Sequence, residues 1–263
     1  MPIEWLLYPA LGIVAGLLAG LLGVGGGLVL VAALALLLPT QGVPAAAAMH
    51  AALATSLASV IVTAAASARA HHRRASVLWP TVAWLLPGLL LGSWLGSLLA
   101  TRLSGASLRM FVISYCLLAA LQLSVEWPRP RRLATTAPRG AGLSFTGLLI
   151  GAVSALVGIG GGSMTVPVLI WRGVTPVQAV GSSSACGVAI GLAAASGYAF
   201  NGHVAGMPLG SYGYVFLPAA IGITITSMVM APYGAALAHR LSGVTLKRVF
   251  AGFLVAMALL LAS

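Results

Sequence analysis

The chain has 263 residues, 60% of them hydrophobic and 6% charged, with a mean hydropathy of +1.08 and a formal charge of +11. That balance excludes an ordinary soluble globule and leaves a polytopic membrane protein. The only acids are Glu4 and Glu126, which argues against a carboxylate proton relay, a carboxylate metal site and a Ser-His-Asp hydrolase.

The first apolar block, 6–38, has no Lys or Arg before it and no small-residue cleavage site after it, so no cleaved signal peptide is expected. It carries the sequence Gly23-Val24-Gly25-Gly26-Gly27. As one helix the block would measure about 50 Å against roughly 30 Å of hydrocarbon. Split at the glycines, it becomes a longer arm and a shorter one that reaches about half-way across. The second block, 45–68, is alanine-rich, with His50 near its start and Thr55-Ser56 inside it, and the basic run Arg69-Ala70-His71-His72-Arg73-Arg74 follows. Blocks 77–100 and 108–127 complete a first half.

A basic, proline-containing linker at 128–141 leads to block 142–171, which repeats the break as Gly158-Ile159-Gly160-Gly161-Gly162 and is followed by Arg172. Block 174–200 carries Ser182-Ser183-Ser184 where the first half has Thr55-Ser56. The next loop, Asn201-Gly202-His203-Val204-Ala205-Gly206, is uncharged, and blocks 212–238 and 244–262 close the chain. Leu103-Ser104-Gly105-Ala106-Ser107-Leu108-Arg109 matches Leu241-Ser242-Gly243-Val244-Thr245-Leu246-Lys247, with Arg102 on Arg240, Pro80 on Pro218 and Gly96 on Gly234. A duplicated architecture follows: a first membrane repeat at 1–127, a cytoplasmic linker at 128–141 and a second repeat at 142–263.

Charge decides how the halves face. If all eight blocks cross once, the basic residues divide seven against six. If each broken block enters and returns on one side, or crosses twice, eleven share one side and only Arg102 and Arg109 lie opposite. The expected fold is therefore all-α, with two inverted repeats. Each begins with a re-entrant or V-shaped helical hairpin followed by three transmembrane helices, and both termini lie outside a bacterial inner membrane.

Helix starts at the breaks would direct free N–H groups toward the bilayer middle, and glycine lets backbone approach a ligand closely. Three adjacent glycines carry a helix-propensity cost that packing alone does not explain. Gly12, Gly16 and Gly20, like Gly88, Gly92 and Gly96, have the four-residue spacing of close helix packing instead. The candidate anion site comprises Gly25, Gly26, Gly27, Leu28, Gly160, Gly161, Gly162, Ser163 and Thr165, completed by hydroxyls of Thr55, Ser56, Ser182 and Ser183. His50, Arg172, Asn201 and His203 are candidates for gating or proton handling. Cys116 and Cys186 read as reduced packing residues.

These residues resemble the sulfite exporter TauE/SafE family of membrane permeases. The likeness rests on the two Gly-x-Gly-Gly-Gly elements, Val166-Pro167, Thr55-Ser56, Ala179-Val180-Gly181-Ser182-Ser183, Asn201-Gly202, Ala231-Pro232 and Leu237-Ala238-His239-Arg240. It covers essentially the whole chain and implies movement of sulfite or organosulfonate anions, commonly outward. Two departures stand out: Ala32 where the second copy has Pro167, and Ser182 where the family often has Thr. The expected partners are a small anionic substrate and the lipid bilayer, with a homo-oligomer left open; no nucleic acid, metal, cofactor or enzymatic activity is expected. The alternatives are a transporter of another organic anion or of a proton-coupled solute, and a non-transporting membrane assembly factor.

Overall fold

The computed structural model describes residues 4–23, 26–124, 136–202, 206–240 and 243–262, so Gly25, His203 and much of the 128–141 linker lie outside the described residues. In chain order the helices are α1 (Glu4–Leu22), α2 (Gly27–Leu37), α3 (Ala45–His72), α4 (Trp79–Arg102), α5 (Gly105–Ser124), α6 (Ala141–Val157), α7 (Gly162–Trp171), α8 (Pro176–Asn201), α9 (Leu217–Ala238) and α10 (Gly243–Ala262). Among the described residues, α3, α4, α5, α8 and α9 contain stretches long and apolar enough to cross a membrane. Proline in the first turn of α4, α8 and α9, where no intrahelical N–H bond is lost, marks three of the starts.

Both apolar blocks that carry a glycine break divide there. α1 and α6 end on glycines in the left-handed region, Gly23 (φ 68°) and Gly158 (φ 77°). Their N–H groups return to Ala19 and Ser154 at 3.0 and 2.9 Å, so the same cap closes both helices. Three residues later Gly26 (φ 68°) and Gly161 (φ 76°) adopt left-handed geometry again, directly before α2 and α7. The first block is a hairpin whose far ends are tied by the Tyr8 hydroxyl donating to Gln41. With 11 residues, α2 is about 16 Å long, near half the hydrocarbon thickness.

The left-handed glycines of the breaks are not the only local departure from helix. Helix α9 is preceded by a small antiparallel hairpin, β1 (Ser211–Tyr212) and β2 (Val215–Phe216), with Ser211 opposite Phe216 and Tyr212 opposite Val215. The apolar block at 212–238 is therefore not helical from its start. Gly213, with φ 56° and its backbone against the Ala199 carbonyl, makes the turn that a helix would forbid.

The four-residue glycine rows are packing surfaces. A methyl on Gly12, Gly16 or Gly20 of α1 would lie 2.0–2.5 Å from atoms of α9, and one on Gly88, Gly92 or Gly96 of α4 would lie 1.7–2.5 Å from carbonyls of α6. Helix axes approach this closely only where no Cβ intervenes. Gly88→Ala is accordingly expected to cost about 1–3 kcal/mol in detergent thermal unfolding. Gly142→Ala, with nothing within 4 Å, serves as the control and should not destabilise.

Packing between elements repeats when the halves are exchanged. α1 packs on α9 as α6 packs on α4, α3 on α9 as α8 on α4, and α2 on α3 as α7 on α8. Corresponding helices also meet directly: α3 lies on α8 and α5 on α10. α3 and α8 run antiparallel, because Ser67 meets Ser184 at 2.9 Å, Gly187 abuts Ala64, and Gly191 abuts Leu57 and Ile61.

The two ends of the bundle differ in charge. At one end a cavity of about 660 Å³ gathers Leu36, Ala45, His50, Leu103, Arg109 and Leu261, and Arg109 Nε donates to the Leu261 carbonyl of α10. At the other, His71 stacks on His239 with centroids 5.4 Å apart, and Thr81 donates to the Pro138 carbonyl. Arg69, Arg73, Arg74, Arg139, Arg172 and Arg240 belong by chain position to that second end, whereas Arg102 and Arg109 belong to the first. Burial, and then the Arg74 cation, push the His239 imidazole below its ordinary range.

Candidate functional site

The two breaks meet at the centre of the bundle. A Cβ on Gly27 would lie 2.4 Å from the Gly158 carbonyl oxygen and 3.1 Å from Ser56 Oγ, so only glycine permits the contact. Gly26, Gly27, Leu28, Gly160, Gly161, Gly162, Ser163 and Thr165 are all buried. Neither α2 nor α7 has a side-chain cap. The Gly26 carbonyl takes the Leu30 N–H and the Gly161 carbonyl those of Met164 and Thr165, so only the N–H groups ahead of these in each first turn lack intrahelical acceptors. Buried helix starts of this kind concentrate positive potential.

The hydroxyls named in the sequence pattern form a cross-stitched set. Ser56 of α3 donates to the carbonyls of Gly27, at 2.8 Å, and Gly158, at 2.9 Å. Ser183 of α8 donates to the carbonyl of Gly23 at 3.0 Å. Each middle helix therefore holds the first glycine of the opposite half's break. Thr55 and Ser182 play a second matched part. Thr55 Oγ1 accepts the Phe216 N–H at 3.0 Å, just before α9, and Ser182 Oγ accepts the Leu78 N–H at 2.9 Å, just before α4. In this conformation the Ser56 and Ser183 protons are thus directed at protein carbonyls.

Further along the same helices the pairing recurs with different chemistry. His71 Nε2 lies 3.1 Å from the Gly20 carbonyl of α1, and the Tyr198 hydroxyl donates to the Ala155 carbonyl of α6 at 3.1 Å. Carbonyls near the end of each long arm are thereby held by a polar group from the middle helix of the pair.

Three polar side chains gather at the second break, two of which were not singled out by sequence. Ser154 Oγ and Thr165 Oγ1 are buried and without a hydrogen-bond partner. Both residues are 0% exposed, which makes an unmet hydroxyl costly. A Cβ on Gly161 would stand 3.3 Å from Ser154 Oγ, placing that hydroxyl at the start of α7. Tyr115 of α5 shares a 2.5 Å hydrogen bond with Ser163. Thr165 belongs to the expected set, whereas Ser154 and Tyr115 extend it. A serine four residues before the glycine break and a tyrosine midway along the block 108–127 were the available signals.

The remaining candidates lie apart from the breaks. His50 Nε2 sits 3.2 and 3.0 Å from the Ala100 and Leu103 carbonyls, and its ring stacks on Tyr214 at 4.8 Å. Since both neighbours of Nε2 are acceptors, the proton belongs on that nitrogen. Asn201 Nδ2 donates to Gly197 within its own helix at 2.9 Å. Arg172 is half-buried just beyond α7. Cys116 and Cys186 are free and buried.

A family model described as Sulfite exporter TauE/SafE matches residues 8–261. A protein of Haemophilus influenzae named "Probable membrane transporter protein" is 37% identical over 257 residues, covering 97% of this chain and 96% of that relative. A protein of Xylella fastidiosa (strain Temecula1) with the same name is 35% identical over 193 residues, covering 72% and 71%. No solved structure matches the chain. With apolar helices broken at matched glycines that meet at the centre of the bundle and a family match across nearly its full length, the chain belongs to the sulfite exporter TauE/SafE family of membrane transporters.

Proposed function

We propose that this chain is a permease exporting a sulfur oxyanion, sulfite or a small organosulfonate, by alternating access between inverted halves spanning 1–127 and 142–263. The carrying observation is the pair of buried, uncapped helix starts at α2 and α7, beside hydroxyls of Ser154 and Thr165 that have no protein partner. Uncharged donors converging without a carboxylate suit an anion and disfavour a cation.

The antiparallel register of α3 on α8 supports the inverted arrangement, because equivalent helices related by an axis in the membrane plane must run in opposite directions. The six arginines at one end against two at the other favour the basic end as cytoplasmic, which puts the start of α1 and the end of α10 outside. An inside-negative potential contributes about 2.3 kcal/mol per charge per 100 mV toward anion efflux, so no coupling ion is required.

Ser56 and Ser183 link binding to movement. An oxyanion at the breaks competes with the Gly158 and Gly23 carbonyls for their protons. Transfer of either hydrogen bond to the anion loosens the opposite half's break, where the halves must part.

A non-transporting assembly factor would also pack Gly27 on Gly158, and that contact gives this second reading its support. The partnerless hydroxyls weigh against it, since a centre built only for packing would not retain them. Purified protein in liposomes loaded with sulfite should release it under an imposed potential. Release no faster than from protein-free liposomes sinks the proposal. Cysteines introduced near either terminus should label from outside with an impermeant maleimide, and labelling only from inside would reverse the orientation.

A further inference from the structure

A groove of about 730 Å³ runs along the lateral face of the bundle between α3, α4 and α8. Its floor is made of small side chains, among them Ala65, Ala68 and Ala189, and its far end reaches Leu90 and Met228. These last two are 43% and 54% exposed, so the groove opens where lipid tails lie. All its lining residues are apolar except Arg69 and His72, which stand together at one end beside Trp79.

That end is built to donate. Trp79 Nε1–H donates to His72 Nδ1 at 3.1 Å, which leaves the His72 proton on Nε2. Arg69 and His72 are exposed, and neither has a carboxylate partner among the described residues. Trp79, 49% exposed, marks the membrane–water boundary.

We propose that this groove is a binding site for one anionic phospholipid, with an acyl chain along the alanine floor and the phosphate on Arg69 and His72. Length supports the assignment: from Trp79 to Leu90, α4 rises about 16 Å, close to one leaflet's share of a roughly 30 Å hydrocarbon core. Charge supports it as well, because basic clusters at the edge of intramembrane grooves attract anionic headgroups. A two-fold-related second copy fits poorly, since it would bring Arg69 and Arg73 toward their own duplicates. The lipid would rest on the α3–α8 crossing, whose helices hold both glycine breaks through Ser56 and Ser183.

The test is native mass spectrometry of the purified protein with phosphatidylglycerol and phosphatidylcholine of identical chains. The wild type should retain phosphatidylglycerol preferentially. Arg69→Gln combined with His72→Gln should reduce that preference about tenfold without altering phosphatidylcholine binding, whereas Ala65→Trp should reduce binding of both lipids. Equal retention of the two lipids by the wild type, or unchanged preference in the double variant, would overturn the proposal. So would a dimer that dissociates on Ala65→Trp, or displacement of phosphatidylglycerol by methanesulfonate, which would assign the groove to a second copy or to substrate. None of these readouts depends on sulfite transport.

Discussion

Gly26→Ala should abolish efflux and destabilise the protein by about 2–5 kcal/mol, although it adds one methyl group. Gly26 has a φ of 68°, and its Cβ would stand 2.2 Å from the Ala15 carbonyl oxygen, 2.7 Å from the carbonyl carbon and 2.8 Å from Cα. All three are backbone atoms of the same hairpin, so relief requires the two arms to separate. Gly161→Ala should be milder, because the closest obstacle is the terminal Cδ1 of Ile190 at 2.3 Å, which can rotate away. Gly42 supplies the control: its φ is 88°, but nothing lies within 4 Å, so alanine there should cost only the left-handed strain of about 1–2 kcal/mol. Thermal unfolding and liposome efflux measured on the three variants decide the matter. Equal stability of Gly26→Ala and Gly42→Ala would mean that the tight hairpin is not the structural determinant described above.

Thr165→Val should separate function from stability in the opposite sense. Valine has nearly the shape of threonine, and the Thr165 hydroxyl is buried with no partner. Removing it should leave stability unchanged or raise it by about 1 kcal/mol. If that hydroxyl contacts the anion, efflux should nevertheless fall about tenfold, and Ser154→Ala should behave in the same way. Ser183→Ala is the informative contrast, since it strips the Gly23 carbonyl of its 3.0 Å donor and should destabilise by about 1–3 kcal/mol. Thr165→Val with wild-type efflux would remove the second break's hydroxyls from the substrate path.

Much of this frame could be read from sequence because the signals were local. The Gly23–Gly27 and Gly158–Gly162 clusters announced breaks in blocks too long for one crossing, and the four-residue glycine rows announced close packing of α1 and α4, though not that α9 and α6 are the partners. The matched hydroxyl pairs were also visible, but not their partners. Ser56 and Gly158 are 102 positions apart, and Thr55 and Phe216 are 161 apart; no periodicity encodes such a pairing. The hairpin before α9 escaped notice because Val215 and Phe216 read as the start of an apolar block, whereas backbone geometry at Gly213 makes them a strand. Ser154 was hidden for another reason: its counterpart, Ala19, carries no hydroxyl, so comparison of the repeats passed over it.

The reach of Ser183 across to Gly23 also bears on how the protein is made. The donor is 160 residues downstream of the carbonyl it satisfies. At ordinary translation speeds, the first break would wait on the order of ten to thirty seconds before α8 emerges from the ribosome. During that interval its backbone needs another partner, from water, lipid headgroups or the insertion machinery. The first half made alone should therefore be short-lived in cells, and supplying the second half as a separate chain should rescue it.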